Sequence, residues 1–229
     1  MQSSCGCSRR TAERQGALES YTSERLYRVE YHGNGGEHHG AINVHVTYTD
    51  QGAKHMTVVS ETGSKLICDR VLRKMVETEQ ESSDKAGRLQ TMLSSSNYNF
   101  ELLGEEAIDG VESWVLRVIP RVENKLTYRG RVWISEDDFA VVRVQGELAK
   151  SPSWWLTRSS FDWRYARHGE FWLPESSAAF SHVRLGGDAT LTIEYGGYQI
   201  VTQSQAGQTK AEVSHRPSPV QIAEWGSVK

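Results

Sequence analysis

Four of the eight histidines gather near the first turn signal: His32, His38, His39 and His45, with Glu37 among them. Imidazole together with carboxylate suits zinc, which takes four ligands in a tetrahedron. His32 and His45 fall on the polar side of their alternation and nothing fixes a third ligand, so a solvated turn is the stronger reading. Cys5 and Cys7 flank Gly6 in a polar leader, and Cys68 sits far away in a helical pattern. Two thiols make an incomplete metal or redox site, and three make no disulfide framework. The carboxylate pairs Glu105-Glu106 and Asp137-Asp138 stand at predicted turns, where acidic residues are commonplace. Glycoside chemistry would need two carboxyls facing one cleft from separate strands. The runs Ser3-Ser4, Ser94-Ser95-Ser96 and Ser159-Ser160 lack a Gly-x-Ser-x-Gly elbow. Neither a phosphate loop nor a dinucleotide fingerprint is found. The expectation is a protein that is not an enzyme and uses no cofactor and no metal.

The remaining chemistry is apolar, and its spacing is that of strands. Tyr27, Val29 and Tyr31 alternate with Leu26, Arg28, Glu30 and His32. After Gly33-Asn34-Gly35-Gly36, Ile42, Val44, Val46 and Tyr48 alternate with Asn43, His45 and Thr47. Strict alternation means one apolar and one polar face. A third strand carries Met56 and Val58 before an expected turn at Glu61-Thr62-Gly63. From Tyr98 the pattern resumes. Phe100, Leu102 and Leu103 precede the hairpin turn Asp109-Gly110, and Trp114, Leu116 and Val118 alternate with Val115, Arg117 and Ile119. Leu126, Tyr128, Gly130, Val132 and Ile134 alternate with Thr127, Arg129, Arg131 and Trp133. Ala140, Val142 and Val144 share a side, as do Phe161, Trp163 and Tyr165, and further strands run around 178–185 and 188–196.

Between the third strand and this meander the period changes. Leu66, Ile67, Cys68, Val71, Leu72, Met75 and Val76 recur at helical spacing, opposite Lys65, Asp69, Arg70, Arg73, Lys74 and Glu77. Ser64 is placed to cap this helix. The polar stretch from Thr78 to Gly87 is expected to fray or loop, with a short second helical turn from Leu89 to Leu93. Residues 1–10 read as disordered, 11–20 as a short helix, and the Gln-, Ser- and Pro-bearing stretch past Val201 as a flexible tail in which Val220, Ile222 and Trp225 could dock.

The fold class expected is therefore mainly β: a curved antiparallel sheet of about ten strands with one helical insertion after the third strand. Short connections exclude parallel pairing, which needs crossovers of a dozen or more residues. A one-sided sheet of this extent must curl on itself, pack a helix on its apolar face, or do both. The net charge of −3 and pI near 6.3 offer no basic footprint for nucleic acid. No apolar run approaches the roughly 18 residues of a membrane-spanning helix. The first ten residues lack the apolar core of a signal peptide, which read literally places the chain in the cytoplasm.

Several blocks resemble a known family. They are 97–104 (Asn-Tyr-Asn-Phe-Glu-Leu-Leu-Gly), 128–134 (Tyr-Arg-Gly-Arg-Val-Trp-Ile) and 137–143 (Asp-Asp-Phe-Ala-Val-Val-Arg), with Ser151-Pro152-Ser153-Trp154-Trp155 and Phe171-Trp172-Leu173-Pro174 following. Together they resemble outer-membrane lipoprotein-sorting proteins, bacterial relatives of the lipoprotein carriers LolA and LolB, over roughly residues 21–200. The resemblance implies an incomplete β-barrel with a helical lid, an apolar cavity, a periplasmic setting and traffic in acyl chains of lipoproteins or other lipids. It implies membrane-protein partners that load and unload a monomeric carrier. It also implies a lid-latching arginine, for which Arg25, Arg28, Arg117, Arg129 and Arg131 are all candidates.

Under this reading residues 1–20 are a leader with a short helix, 21–200 the carrier domain and 201–229 the tail. The ligand face is Tyr27, Val29, Val44, Val46, Trp114, Leu116, Val118, Tyr128, Val132, Val142, Val144, Phe161, Trp163, Leu191 and Ile193. The lid surface is Leu66, Val71, Leu72 and Met75. Burying each methylene is worth about 0.8 kcal/mol, so a chain of ~16 carbons offers roughly 12 kcal/mol before ordering costs. Three alternatives stay open: an ordinary packed core in place of a cavity, a permanent plug in place of a lid, and a lipid-responsive sensor that binds a membrane-protein partner on the same scaffold.

Overall fold

In the computed structural model, residues 17–49, 53–82, 93–124, 127–151, 156–184 and 186–202 are described. The leader with Cys5 and Cys7, the turn expected near Leu89, Leu126, the Trp154-Trp155 pair and the tail beyond Thr202 lie outside them. Ten strands follow one another: β1 (Leu18–Gly33), β2 (Gly36–Thr49), β3 (Lys54–Gly63), β4 (Tyr98–Ile108), β5 (Val111–Pro120), β6 (Tyr128–Ser135), β7 (Val141–Leu148), β8 (Leu156–His168), β9 (Phe171–Val183) and β10 (Asp188–Thr202). Between β3 and β4 the described residues 65–82 form a helical stretch, α1.

All ten strands form one antiparallel sheet in the order β3-β2-β1-β10-β9-β8-β7-β6-β5-β4. The sheet is not closed, and β3 and β4 are its edges. The pairing of β1 with β10, third and fourth in that order, joins the first hairpins to the end of the meander. The turn expected at Glu61-Thr62-Gly63 is instead strand, paired with Ile42, Ala41 and Gly40. The chain leaves β3 only at Ser64, whose N–H donates to the His39 carbonyl at 2.7 Å. At the other end, β1 already includes Leu18, Glu19 and Ser20, where the short N-terminal helix was expected to finish. Asp109 and Gly110 both take positive φ, the pairing that a two-residue hairpin turn with strand-matching twist requires.

The helix begins as Lys65–Ile67, widens into a π-helical turn over Cys68–Leu72 and continues as Arg73–Ser82. Ser64 precedes it in extended conformation, and its carbonyl accepts the Cys68 N–H at 3.0 Å; its side chain makes no capping bond. The wide turn brings Ile67 and Cys68 together onto the sheet, with Leu72 and Val76 following at ordinary spacing. The same phase change turns Leu66 outward, 64 % exposed, against the expectation that it faces the sheet. Gly40 on β2 makes this docking possible: a Cβ there would stand 2.8 Å from Ile67 Cγ2 and 3.3 Å from Cys68 Sγ.

The helix packs into a cluster with Tyr27, Val29, Ile42, Val44, Val46, Met56 and Ile193. A second cluster lies farther round the same face, built from Tyr98, Val118, Tyr128, Val132, Val144 and Phe161. The opposite face carries a third, smaller one of Ile108, Val115, Trp133 and Val142. Trp133, placed by alternation among the polar residues, is thus almost wholly buried. Its Nε1 donates to Glu106 at 2.9 Å, and the Arg131 and Arg143 guanidinium groups lie over its ring.

Candidate functional site

Direct cross-strand partners share a face, so the register can be followed across the sheet. One row runs Ile42, Tyr27, Ile193, Ser177, Trp163, Val144, Val132, Leu116 and Leu102, from β2 to β4. Apart from the Tyr27 hydroxyl and the Trp163 indole N–H, Ser177 brings its only polar side chain. The next row runs Gly40, Val29, Leu191, Ala179, Phe161, Gly146, Gly130, Val118 and Phe100. Gly130 and Gly146 face each other so closely that a Cβ on Gly130 would stand 2.1 Å from the Gln145 carbonyl oxygen. Such approach marks a sharp bend in the sheet, tolerated only without side chains. At ~4.8 Å per strand, the eight steps of each row extend an apolar band over roughly 38 Å of sheet.

All the residues expected on the ligand face lie on this inner face except Val142. A bulge between Trp133 and Ile134 in the β6–β7 ladder pairs Ile134 with Val141 and Trp133 with Arg143, leaving Val142 between them. Val142 packs outward with Trp133, and Val141 takes the inward place. Tyr27, Val29, Val44, Val46 and Ile193 are covered by α1. Val118, Tyr128, Val132, Val144, Phe161 and Trp163 form an aromatic-rich cluster in which Phe161 stacks on Trp163 at 4.2 Å between centroids. Trp114 and Leu116 lie half-buried toward the β4 edge, with Trp114 against Phe139, and Leu191 is half-buried beside the helix-covered cluster. On the helix Leu72 is fully buried, and Val71 and Met75 are half-buried.

The helix is latched as well as packed. Arg25, 2 % exposed, occupies an inward position of β1 beside Val44 and Tyr195. Its Nη1 donates to Glu79 Oε1 at 2.7 Å, Lys54 Nζ donates to the same oxygen at 2.8 Å, and the Tyr27 hydroxyl donates to Oε2 at 3.0 Å. Burial would raise the pKa of Glu79. The Lys54 and Arg25 charges, with their hydrogen bonds, outweigh it and hold the carboxyl at about 2. Burial likewise opposes the charge on Arg25, and the Glu79 carboxylate more than restores it. Met56 N–H donates to Gln80 Oε1 at 2.9 Å, so the helix also satisfies part of the β3 edge.

Of the five arginines considered for a latch, Arg25 alone meets the helix. Arg28 pairs with Glu194, Arg117 with Glu101 and Arg129 with Glu123, while Arg131 donates to Gln145. A signal for Arg25 existed: it shares the parity of Tyr27 and Val29, so it is a charge written into the apolar alternation. Glu79 was out of reach, because it lies in the polar stretch expected to fray, where α1 in fact continues to Ser82.

The other polar groups have structural duties. His45 meets Glu24 at 2.6 Å, His38 stacks on Tyr31, and Asp138 accepts the Trp172 indole N–H at 2.8 Å. Among the described residues no group of three or more His, Cys, Asp or Glu side chains could hold a metal ion. An open groove of about 760 Å³ lies on the outer face, floored by Gly130 and Gly146 and flanked by Arg117, Arg131, Asp162 and Phe180. Its three arginines, Arg129 included, are already engaged with Glu101, Glu123 and Gln145, and it is not enclosed, so the inner face and its latch form the better candidate.

No family model matches this chain, and no curated protein matches it significantly. Among solved structures it is similar to a DUF1329 family protein from Desulfovibrio piger, at 12 % identity and a TM-score of 0.44, covering 86 % of this chain and 92 % of the other. It is similar to a LolA superfamily protein from Nitrosomonas europaea, at 9 % identity and 0.41, covering 86 % and 93 %. It is similar to a putative outer membrane lipoprotein-sorting protein domain from Vibrio parahaemolyticus, at 11 % identity and 0.40, covering 92 % and 97 %. The family that the sequence blocks resemble is thus among its structural neighbours. At these scores the likeness carries no argument about what the chain does.

Proposed function

We propose that this chain is a carrier, working in the periplasm without covalent chemistry, that holds the acyl chains of lipids or lipoproteins against the inner face of its sheet. The observation that carries the reading is the pair of nearly unbroken apolar rows across nine strands, covered by α1 at the β1–β2 end and buried in an aromatic-rich cluster at the other. The cover over Tyr27, Val29, Val44 and Val46 is one short helix, held by a narrow apolar stripe, by the Glu79 latch and by the Glu61–Arg73 ion pair. An acyl chain reaches Tyr27, Val29, Val44 and Val46 only when α1 moves aside, so the helix acts as the lid. The fifteen inner residues expected from alternation, with Val141 in place of Val142, form the ligand face. Residues 21–200 form the carrier unit, and membrane-protein partners load and unload it.

The test is to produce the protein in a periplasm, purify it without detergent and extract it for mass spectrometry. Acylated molecules near one per protein support the carrier. A lipid-free protein whose tryptophan fluorescence ignores added fatty acid refutes it.

A second reading, a module that binds a membrane-protein partner, draws on the β4 edge. Phe100, Leu102 and Leu103 stand 38 %, 63 % and 41 % exposed there. Long, apolar, unpaired edges invite an added strand.

A further inference from the structure

The latch contains more than a clasp needs. Two cations, Arg25 and Lys54, and the Tyr27 hydroxyl converge on one carboxylate, that of Glu79. Three of these groups belong to the sheet, and the carboxylate comes from α1. Behind the clasp, two buried polar atoms, Arg25 Nε and Ser23 Oγ, find no partner among the described residues. Ser23 is 1 % exposed and Arg25 2 %, and both occupy inward positions of β1, next to the apolar rows. A buried guanidinium with an unused N–H is costly for the fold to keep, since each unsatisfied donor forfeits its desolvation energy. Arg25 is also flanked by the Tyr195 ring, 4.9 Å from its centroid. The cradle is therefore fixed in the sheet and over-supplied with donors, and its present acceptor leaves when the lid opens.

We propose that Arg25, Lys54, Tyr27 and Ser23 form a binding site for the anionic head of an amphiphile, a carboxylate or phosphate ester, and that Glu79 occupies this site as a stand-in when no cargo is bound. The proposal rests on the carrier reading and adds the class of cargo. When α1 lifts, Glu79 departs and two uncompensated positive charges remain at the end of the apolar band. Neither can stay buried without an anion. An oxyanion at the end of an alkyl chain restores both, with the chain laid along Tyr27, Ile193 and Trp163. A planar guanidinium suits either head, because it presents paired donors to two oxygens at once. Cargo binding and lid closure are then competitive at one set of donors, which gives the carrier a built-in route for release: the returning Glu79 displaces the head.

The probes are laurate, dodecyl phosphate and dodecanol, which share one alkyl chain and differ in the head. Their dissociation constants are measured by titration on the whole protein. The wild-type protein binds the two anions at least about tenfold more tightly than dodecanol, the scale of a charge-assisted contact. Glu79→Gln removes the competitor and widens this ratio by a further factor of about ten. Lys54→Met, a change at a half-buried side chain, narrows the ratio, as does Arg25→Gln if that variant keeps its strand circular dichroism. A preference for laurate over dodecyl phosphate, or the reverse, identifies which head the site takes. Equal binding of dodecanol and the anions overturns the head-group site and leaves the carrier reading intact. So does a gain in Glu79→Gln shared equally by dodecanol, which reports a loosened lid alone. If none of the three amphiphiles binds, both readings fall.

Discussion

Replacing Glu79 by Gln keeps the shape of the side chain and removes its charge, and the structure sets the size of the effect on the lid. The carboxyl is held at about 2 against an ordinary 4.5. At ~1.4 kcal/mol per tenfold change in acidity, that difference corresponds to roughly 3 kcal/mol in favour of the docked, ionised state. Solvent reaches 30 % of the Glu79 side chain, so screening lowers the figure to about 2 kcal/mol. Burial of Ile67, Leu72 and Val76 contributes about 1.5–3 kcal/mol each and is untouched. The helix in the variant therefore still docks, with its opening equilibrium about 30-fold more favourable. Because the folded-state pKa is depressed, the stabilisation is complete above pH 4.5 and fades as pH falls toward 2. Hydrogen-exchange protection of the α1 amides, measured against the β6 amides from pH 7 to pH 2, reads both effects. Wild-type α1 loses protection relative to β6 across the acid range. Glu79→Gln starts lower at pH 7 and loses less further protection, keeping only the acid-dependent share of the Glu61–Arg73 pair. Equal α1 protection in the two proteins at pH 7, or the same acid-dependent loss in both, would refute the latch.

Trp163→Glu places a charge in the middle of an apolar row, and we expect acyl-chain binding to fall below detection while strand circular dichroism is kept; binding that persists puts the cargo elsewhere. Glu61→Cys with Arg73→Cys sits where β3 and α1 already form an ion pair at 2.6 Å. A short bismaleimide bridge between them should block lipid loading, and normal loading in the bridged protein would make α1 a fixed plug. Gly40→Ala forces a methyl to within 2.8 Å of Ile67, so overpacking should cost about 1–3 kcal/mol in chemical denaturation and weaken α1 protection first. Protection unchanged in α1 would show that the helix does not rest on Gly40.

The strand count, the antiparallel pairing, the Asp109-Gly110 hairpin and the helical insertion were all legible in the chain, because each is written in neighbours. Alternation, turn stereochemistry and helical spacing are local properties of a backbone with few allowed conformations. Most of the inner face was legible for the same reason, since parity carries through a regular strand. Parity fails at a bulge. One extra residue between Trp133 and Ile134's partners sent Val142 outward and Val141 inward, and nothing in Ala140-Val141-Val142 distinguishes the two. The widened turn over Cys68–Leu72 did the same to Leu66.

The features that arose on folding are long-range. The pairing of β1 with β10 makes Arg28 a neighbour of Thr192 and turns two local meanders into one sheet with β3 and β4 as its edges. That register depends on closing a loop of most of the chain, for which no local pattern exists. The latch is of the same kind. Arg25 was visible as a charge in an apolar alternation, but its partner lies 54 residues away on a helix whose polar end looked like a loop. Helical propensity alone did not carry α1 to Glu79; its apolar stripe on the sheet and the two cations beneath it did. That one face of this sheet is apolar follows from the residues alone, because alternation is a matter of chemistry along the strand. Where that face is covered, and by which charge the cover is held, arose only when distant segments met.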